Sequence, residues 1–372
     1  MSVRCSAIIE AMEKFAPSYL AESWDNVGLV VGSPEQEIDK VLVALDVTEK
    51  VIDQAVSIGA NLIISHHPLI FKGITNLRTD VALGKMLARL IKAEIAVYAA
   101  HTNLDSTAGG VNDVLAQKLG LQNVKPLSTV YRERLHKLVV FVPADHAEQV
   151  RTAMAEAGAG HIGNYSHCSF QTTGVGSFLP LAGTKPFIGQ QGEIEQVEEY
   201  KIETIMPATI REQVVDAMLK AHPYEEVAYD EYLLVNTGAA LGLGRVGSLA
   251  KPVSVSEFIT EVKNALKVPH VKIAGADSTT IKRVAVCGGS GAGLIKEAIK
   301  NSADALVTGD IKYHEAQEAV AGGLMVVDAG HFSTEQPVVE CVAKYLEQWA
   351  VEESLALEVT YDMSSRDIFT VY

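Results

Sequence analysis

The sequence is poor in cysteine, in long apolar runs and in positive charge. Its 372 residues include four cysteines, Cys5, Cys168, Cys287 and Cys341, far apart and with no Cys-x-x-Cys. That spacing argues against a disulfide framework and a cysteine zinc knuckle, and a reducing cytoplasmic setting is the simplest expectation. No stretch of about 18 uncharged apolar residues occurs, so no membrane span is expected. The opening MSVRCSAIIEAMEKFAP carries Glu10 and Glu13 where a signal peptide is apolar, and it reads as an ordinary amphipathic helix. Lys and Arg total 31 against 46 Asp and Glu, a formal charge of −15 and a pI near 5.2. Such a balance repels a phosphate backbone and argues against general nucleic-acid binding.

What is present is apolar material for more than one core, 48% of the chain. An internal repeat marks a second domain. VPADHAEQVRTAMAEAG (142–158) and MPATIREQVVDAMLKAH (206–222) share eight identical positions at an offset of 64, among them Pro143/Pro207, Gln149/Gln213 and Met154/Met218. Each copy follows an alternating strand pattern and continues at helical spacing. With strand-like segments at 167–171 and 227–234, they predict a β-α-β-β-α-β, ferredoxin-like unit whose middle is punctuated by turn glycines from Gly174 to Gly192. Residues 40–105 and 281–345 instead alternate short apolar strands with helices, the pattern of a mostly parallel, doubly covered sheet. The expected architecture is an α/β core in two parts, 1–129 and 233–372, interrupted by a ferredoxin-like α+β insertion at 130–232.

Histidines stand just after predicted core strands. His66 and His67 follow the strand at 61–65, His101 ends that at 94–100, and His331 follows that at 324–329. Asp105 and Glu335 each come four residues after a histidine, in HTNLD and GHFSTE. Ligands in open α/β sheets gather at the carboxyl ends of strands, so these groups converge on one rim. Imidazole with carboxylate suits zinc, iron or manganese. Adjacent histidines poorly share one ion but can each serve one of two neighbours, and five ligands for two ions leave positions open to water. The plainer readings are a turn at His66–His67–Pro68, a turn or helix start at Asp105, and a capping box Ser333-x-x-Gln336 around Glu335. Asp310 and His314, in TGDIKYHEA, are candidates for substrate contact or proton transfer, or else an N-cap and a first-turn residue.

Two glycine patterns remain. Gly242 to Gly247 matches G-x-G-x-x-G, but no helix follows and it reads as a turn. The Gly288–Gly293 run, with Gly289, Ser290 and Gly291 at its centre, precedes a helix. It offers amides to a phosphate-bearing substrate, or is simply a tight strand-to-helix turn.

Together SWDNVGLVVG (23–32), SHHPLIF (65–71), HTNLDS (101–106), GSGAG (289–293), TGDIKYHE (308–315) and GHFSTEQP (330–337) resemble the GTP cyclohydrolase I type 2 homologues, the NIF-three-like family. HIGNYSHCSF (161–170) and HPYEEVAYD (222–230) resemble its longer bacterial branch, with a PII/CutA-like middle domain. The resemblance implies two divalent metals per subunit in a ring-shaped homohexamer, with the ligand pattern falling on His66, His67, Asp105, His331 and Glu335. It also implies hydrolytic opening of the GTP imidazole ring. His101 or His314 would move the proton and the 289–293 loop would hold triphosphate. A non-catalytic metal-binding scaffold and a broad phosphoesterase are the competing functions.

Overall fold

The computed structural model describes residues 2–275 and 280–370. The chain forms two compact units, Met1–Tyr131 with Leu241–Tyr372, and Arg132–Ala240.

In the first unit, two main sheets stand where the strand–helix rhythm suggests one, beside a two-stranded pair of Val3–Arg4 with Glu37–Ile38. The first has the order Glu358–Tyr361, Lys40–Ala44, Leu62–Ser65, Ala96–Ala99, Gly28–Val31, parallel except for its last strand. Strand alternation sorts its side chains. Val41, Val43, Leu62 and Ile64 pack with helices Cys5–Phe15 and Pro337–Glu352, whereas Leu42, Ala44 and Ile63 pack with Glu49–Ile58 and Ala82–Lys92. The second sheet runs Lys272–Ala274, Met325–Asp328, Ala305–Gly309, Ile281–Ser290, then the C-terminal part of Tyr229–Val253. Its three middle strands are parallel and its flanking ones antiparallel. Val284, Val286 and Val307 face helix Val255–Leu266, while Ala285 and Leu306 face Ile295–Lys300. Both sheets are thus covered on two faces, which is why their strands read as nearly continuous apolar runs.

The second unit runs strand, helix Ala147–Glu156, strand Ser169–Phe178, strand Glu195–Pro207, helix Arg211–Ala221, strand. Gln122–Pro143 neighbours Glu195–Pro207 and Tyr229–Val253, with Ser169–Phe178 outermost. The repeated helices meet in one core, where Val150 and Met154 join their counterparts Val214 and Met218 over Leu138, Val140 and Ile202.

Two glycine readings change. Gly242–Gly247 is not a turn but lies inside Tyr229–Val253. A Cβ on Gly242 would stand 1.9 Å from the Ser128 carbonyl oxygen, so glycine there permits close strand approach. Gly174 and Gly176 likewise lie within Ser169–Phe178 rather than in turns, while Gly183, Gly189 and Gly192 do take positive φ.

No helix among the described residues is long and apolar enough to cross a membrane.

Candidate metal centre

Strand Leu62–Ser65 is fully buried, and its hydrogen-bonded register continues past its end: His66 N–H donates to Ala44 O and His67 N–H to Leu45 O. Both histidines are therefore fixed in backbone position, and His66 is buried. His101 caps the short helix Thr102–Ser106, which carries Asp105. Gly330, at φ 91°, turns the chain from Met325–Asp328 into helix His331–Glu335. The i,i+4 spacing then places His331 and Glu335 on one helical face. Ser333 lies inside the helix rather than at a cap, and its hydroxyl donates back to Ala329 O in the preceding turn, so the capping-box reading of Glu335 does not hold.

Each imidazole has its Nδ1 committed. His66 Nδ1–H donates to Ala100 O at 2.9 Å, His67 to Asp46 Oδ1 at 2.8 Å, His101 to Asp25 Oδ1 at 2.9 Å and His331 to Asp310 Oδ2 at 2.7 Å. Such bonds fix ring orientation and leave Nε2 as the ligand atom. The Nε2 atoms of His67 and His331 lie 3.3 Å apart, and each is 3.0 Å from Glu335 Oε2. His66 Nε2 lies 3.6 Å from Glu335 Oε1 and 3.7 Å from Asp105 Oδ1. Neither His66 Nε2 nor Asp105 Oδ1 has a hydrogen-bond partner although both are buried. A buried acceptor pair left unbonded is costly unless something else satisfies it. Three groups have ligand atoms close enough to hold a metal ion: His66, Asp105 and Glu335; His67, His331 and Glu335; and His66, His67 and His101. Nitrogen and oxygen donors in this mixture fit a borderline divalent ion.

Without a cation, the cluster balances itself with protons. Burial opposes charge on His67, but the hydrogen bonds and charges of Asp46 and Glu335 outweigh it and raise its pKa to about 10. The hydrogen bond to Glu335 raises His331 to about 9. Burial, working with the nearby Glu335 charge, lifts Asp105 to about 6. Glu335 goes the other way: despite burial, the surrounding histidines hold it well below the usual carboxylate range. His67 and His331 are therefore protonated at neutral pH in the metal-free protein. Their raised pKa values stabilise that form fully below the ordinary imidazole value, a contribution lost as pH rises through 9 and then 10. Metal binding must displace those protons, and any on His66, which Asp105 and Glu335 also push upward against burial, so calorimetry at pH 7 in buffers of different ionisation enthalpy is expected to report net proton release. Buffer-independent heats would contradict this.

The other predicted residues fall as follows. His101 joins the cluster, its ring centroid 5.2 Å from that of His66. Asp310 is not the N-cap of helix Tyr313–Ala321, whose cap is Lys312; it sits at φ 57° with its carboxylate on His331. His314 is exposed on that helix, and its Nδ1 is 3.0 Å from Gln317 Oε1. The Gly289–Gly291 loop lies against the cluster. The amides of Gly288, Gly289 and Gly291 already donate to Asn112 Oδ1, Thr334 Oγ1 and Thr308 Oγ1. A Cβ on Gly289 would stand 2.1 Å from Glu335 Oε1, so this glycine makes room for the carboxylate. Ser290 is exposed.

The residue-by-residue reading passes over Asp25, Asp46, Trp24 and Phe71. Asp25 receives His101 Nδ1 and both N–H and O–H of Thr102, which hold its carboxyl far below the usual range against the opposing effect of burial. Trp24 and Phe71 are exposed, with ring centroids 6.0 and 5.9 Å from that of His101. The motifs SWDNVG and SHHPLIF contain three of the four, but only folding joins them.

A two-sheet α/β unit with a histidine–carboxylate cluster able to hold metal defines an α/β protein with a candidate metal site. The chain belongs to the Duf34/NIF3 (NGG1p interacting factor 3) family, whose model matches residues 3–366. It is 46% identical over 363 residues to a protein of Halalkalibacterium halodurans called GTP cyclohydrolase 1 type 2 homolog, covering 98% of this chain and 97% of that one. A Bacillus subtilis protein of the same name is 44% identical over 369 residues, covering 99% of each. The crystal structure of a Bacillus cereus protein related to NIF3 superposes with a TM-score of 0.93 at 44% identity, covering 100% of both chains.

Proposed function

We propose that the protein is a metal-dependent hydrolase whose site holds two divalent cations, zinc, iron or manganese, and acts on a nucleotide-type substrate. The observation carrying this reading is the double engagement of Glu335, with Oε1 toward His66 and Oε2 toward His67 and His331. His66, Asp105 and Glu335 would hold one cation, and His67, His331 and Glu335 the other. Bound there, the cations would supply an acidified water and positive charge beside a developing oxyanion.

The chain's own groups do the rest. Asp46 and Asp310 fix the His67 and His331 rings from behind, and Asp25 fixes His101, whose Nε2 remains to hold or pass a proton. His66 and Glu335 form the buried floor of the centre, while His67 and His331 are partly open to solvent. Trp24 and Phe71 offer exposed ring faces at the rim, suited to stacking a planar heterocycle. The relatives' name makes opening of a purine imidazole ring the first reaction to test. The ferredoxin-like reading of the second unit, supported by its strand order, and the homohexamer implied by the family resemblance belong to the same proposal.

The test is a screen of GTP, other nucleotides and phosphate esters with metal-loaded protein and its His66→Ala and Glu335→Ala variants. Turnover by the wild type, lost in both variants, is expected. A fully loaded wild type inert toward every compound would favour the non-catalytic scaffold. With a substrate in hand, Trp24→Ala is expected to raise KM about tenfold with kcat little changed, since stacking on an aromatic contributes about 1–3 kcal/mol per base. A fall in kcat at constant KM would show that Trp24 does not bind substrate.

A further inference from the structure

The second unit holds a cavity of about 620 Å³, a volume in the range of small-molecule sites. Its walls are apolar and aromatic, including Phe178, Phe187 and Tyr224, with ring centroids 5.9 Å (Phe178–Tyr224) and 6.3 Å (Phe187–Tyr224) apart. Its charge is lopsided. Glu199, Glu225 and Glu226 line it, against Lys201, which pairs with Glu203 at 3.3 Å. Glu199 is the informative group, because only 8% of the residue is exposed and no cation of the chain is paired to it among the ion pairs described. Its Oε1 accepts from the Tyr224 hydroxyl at 3.0 Å. A Cβ on Gly176 would come within 2.1 Å of its Oε2, so the bare backbone there accommodates the carboxylate. Two residues earlier on the same strand face, Gly174 would meet nothing within 4 Å, and the space it leaves is part of the cavity. A buried carboxylate under a cluster of aromatic rings is the chemistry that recognises a positively charged head on an apolar body.

We propose that this cavity is a ligand site, separate from the histidine cluster, for a small organic cation: an amine or quaternary ammonium carrying an apolar or aromatic group. Glu199 meets the charge, and Tyr224, Phe178 and Phe187 enclose the body. No residue of the histidine cluster lies in this unit, so the inference stands independently of the proposed hydrolase.

Isothermal titration of the full chain with benzyltrimethylammonium and, separately, with phenylacetate tests it. The cation is expected to bind at least about tenfold more tightly than the anion of similar shape. Glu199→Gln keeps the side-chain size while removing the charge, and should weaken cation binding about tenfold or more. Gly174→Val fits a strand position and narrows the cavity, and should weaken binding. Both variants should keep the wild-type circular dichroism, oligomeric state and metal content. Equal binding of cation and anion, binding indifferent to either substitution, or no cation binding at millimolar concentration overturns the proposal. So does dissociation of an oligomer by Gly174→Val, which would make the cavity a contact between copies of the chain.

Discussion

A Glu335→Gln protein is expected to bind divalent metal more than about 100-fold less tightly than the wild type, beyond the 10- to 100-fold typical of losing a supporting residue. Glutamine matches glutamate in size, so the short helix His331–Glu335 should persist and the effect is one of charge. In the native site Glu335 Oε2 is 3.0 Å from both His67 Nε2 and His331 Nε2, which are themselves only 3.3 Å apart. Removing the negative charge leaves two imidazoles facing each other with no anion between them. In the metal-free variant the elevated values of about 10 and about 9 should fall back, His331 most directly, because its hydrogen bond to Glu335 is the main cause of its shift. Competition against a chromogenic chelator measures the affinity, and histidine proton resonances followed against pH measure the titration. An affinity within a few-fold of wild type would show that Glu335 is not a ligand.

A Gly289→Ala protein should be destabilised by about 1–3 kcal/mol and impaired in metal binding. Gly289 sits at φ 61°, where a side chain costs about 1–2 kcal/mol. The added Cβ would also stand 2.1 Å from Glu335 Oε1 and 3.1 Å from His331 Nε2. The carboxylate cannot retreat freely, because its chain is buried against Gly288, whose own Cβ position lies 3.2 Å from Glu335 Cγ. Gly293→Ala is the control: the space around it is open and the change should be near neutral. Denaturant unfolding and metal titration of the two variants decide the point. Equal behaviour would mean that the loop does not shape the site.

The positions of the site residues were legible because strand ends are local features. The apolar run at 61–65 stops at His66, and periodicity alone puts His101, Asp310 and His331 at equivalent stops. The choice between ligand and ordinary turn at Asp105 and Glu335 was not legible, because it depends on partners distant in the chain. Only the fold shows that Asp105 Oδ1 is buried without a partner and that Ser333 does not cap. The residues that orient the imidazoles were hidden for the same reason. Asp25 is 76 residues from His101, and Asp46 is 21 from His67, so no local pattern joins them. Strand alternation identified the covered faces but not the sheet count, since pairing of Lys40–Ala44 with Glu358–Tyr361 joins opposite ends of the chain. Glycines misled where they sit in strands: Gly176 and Gly242 serve close approach there, and Gly174 leaves open space.

The central claim is that Glu335 is shared by two cations. Elemental analysis of the full chain, saturated with manganese or zinc and then desalted, tests it most directly. The account predicts about two equivalents per chain in the wild type, both lost together in Glu335→Gln. One equivalent or less in the wild type, or a Glu335→Gln protein that still carries two, would contradict it.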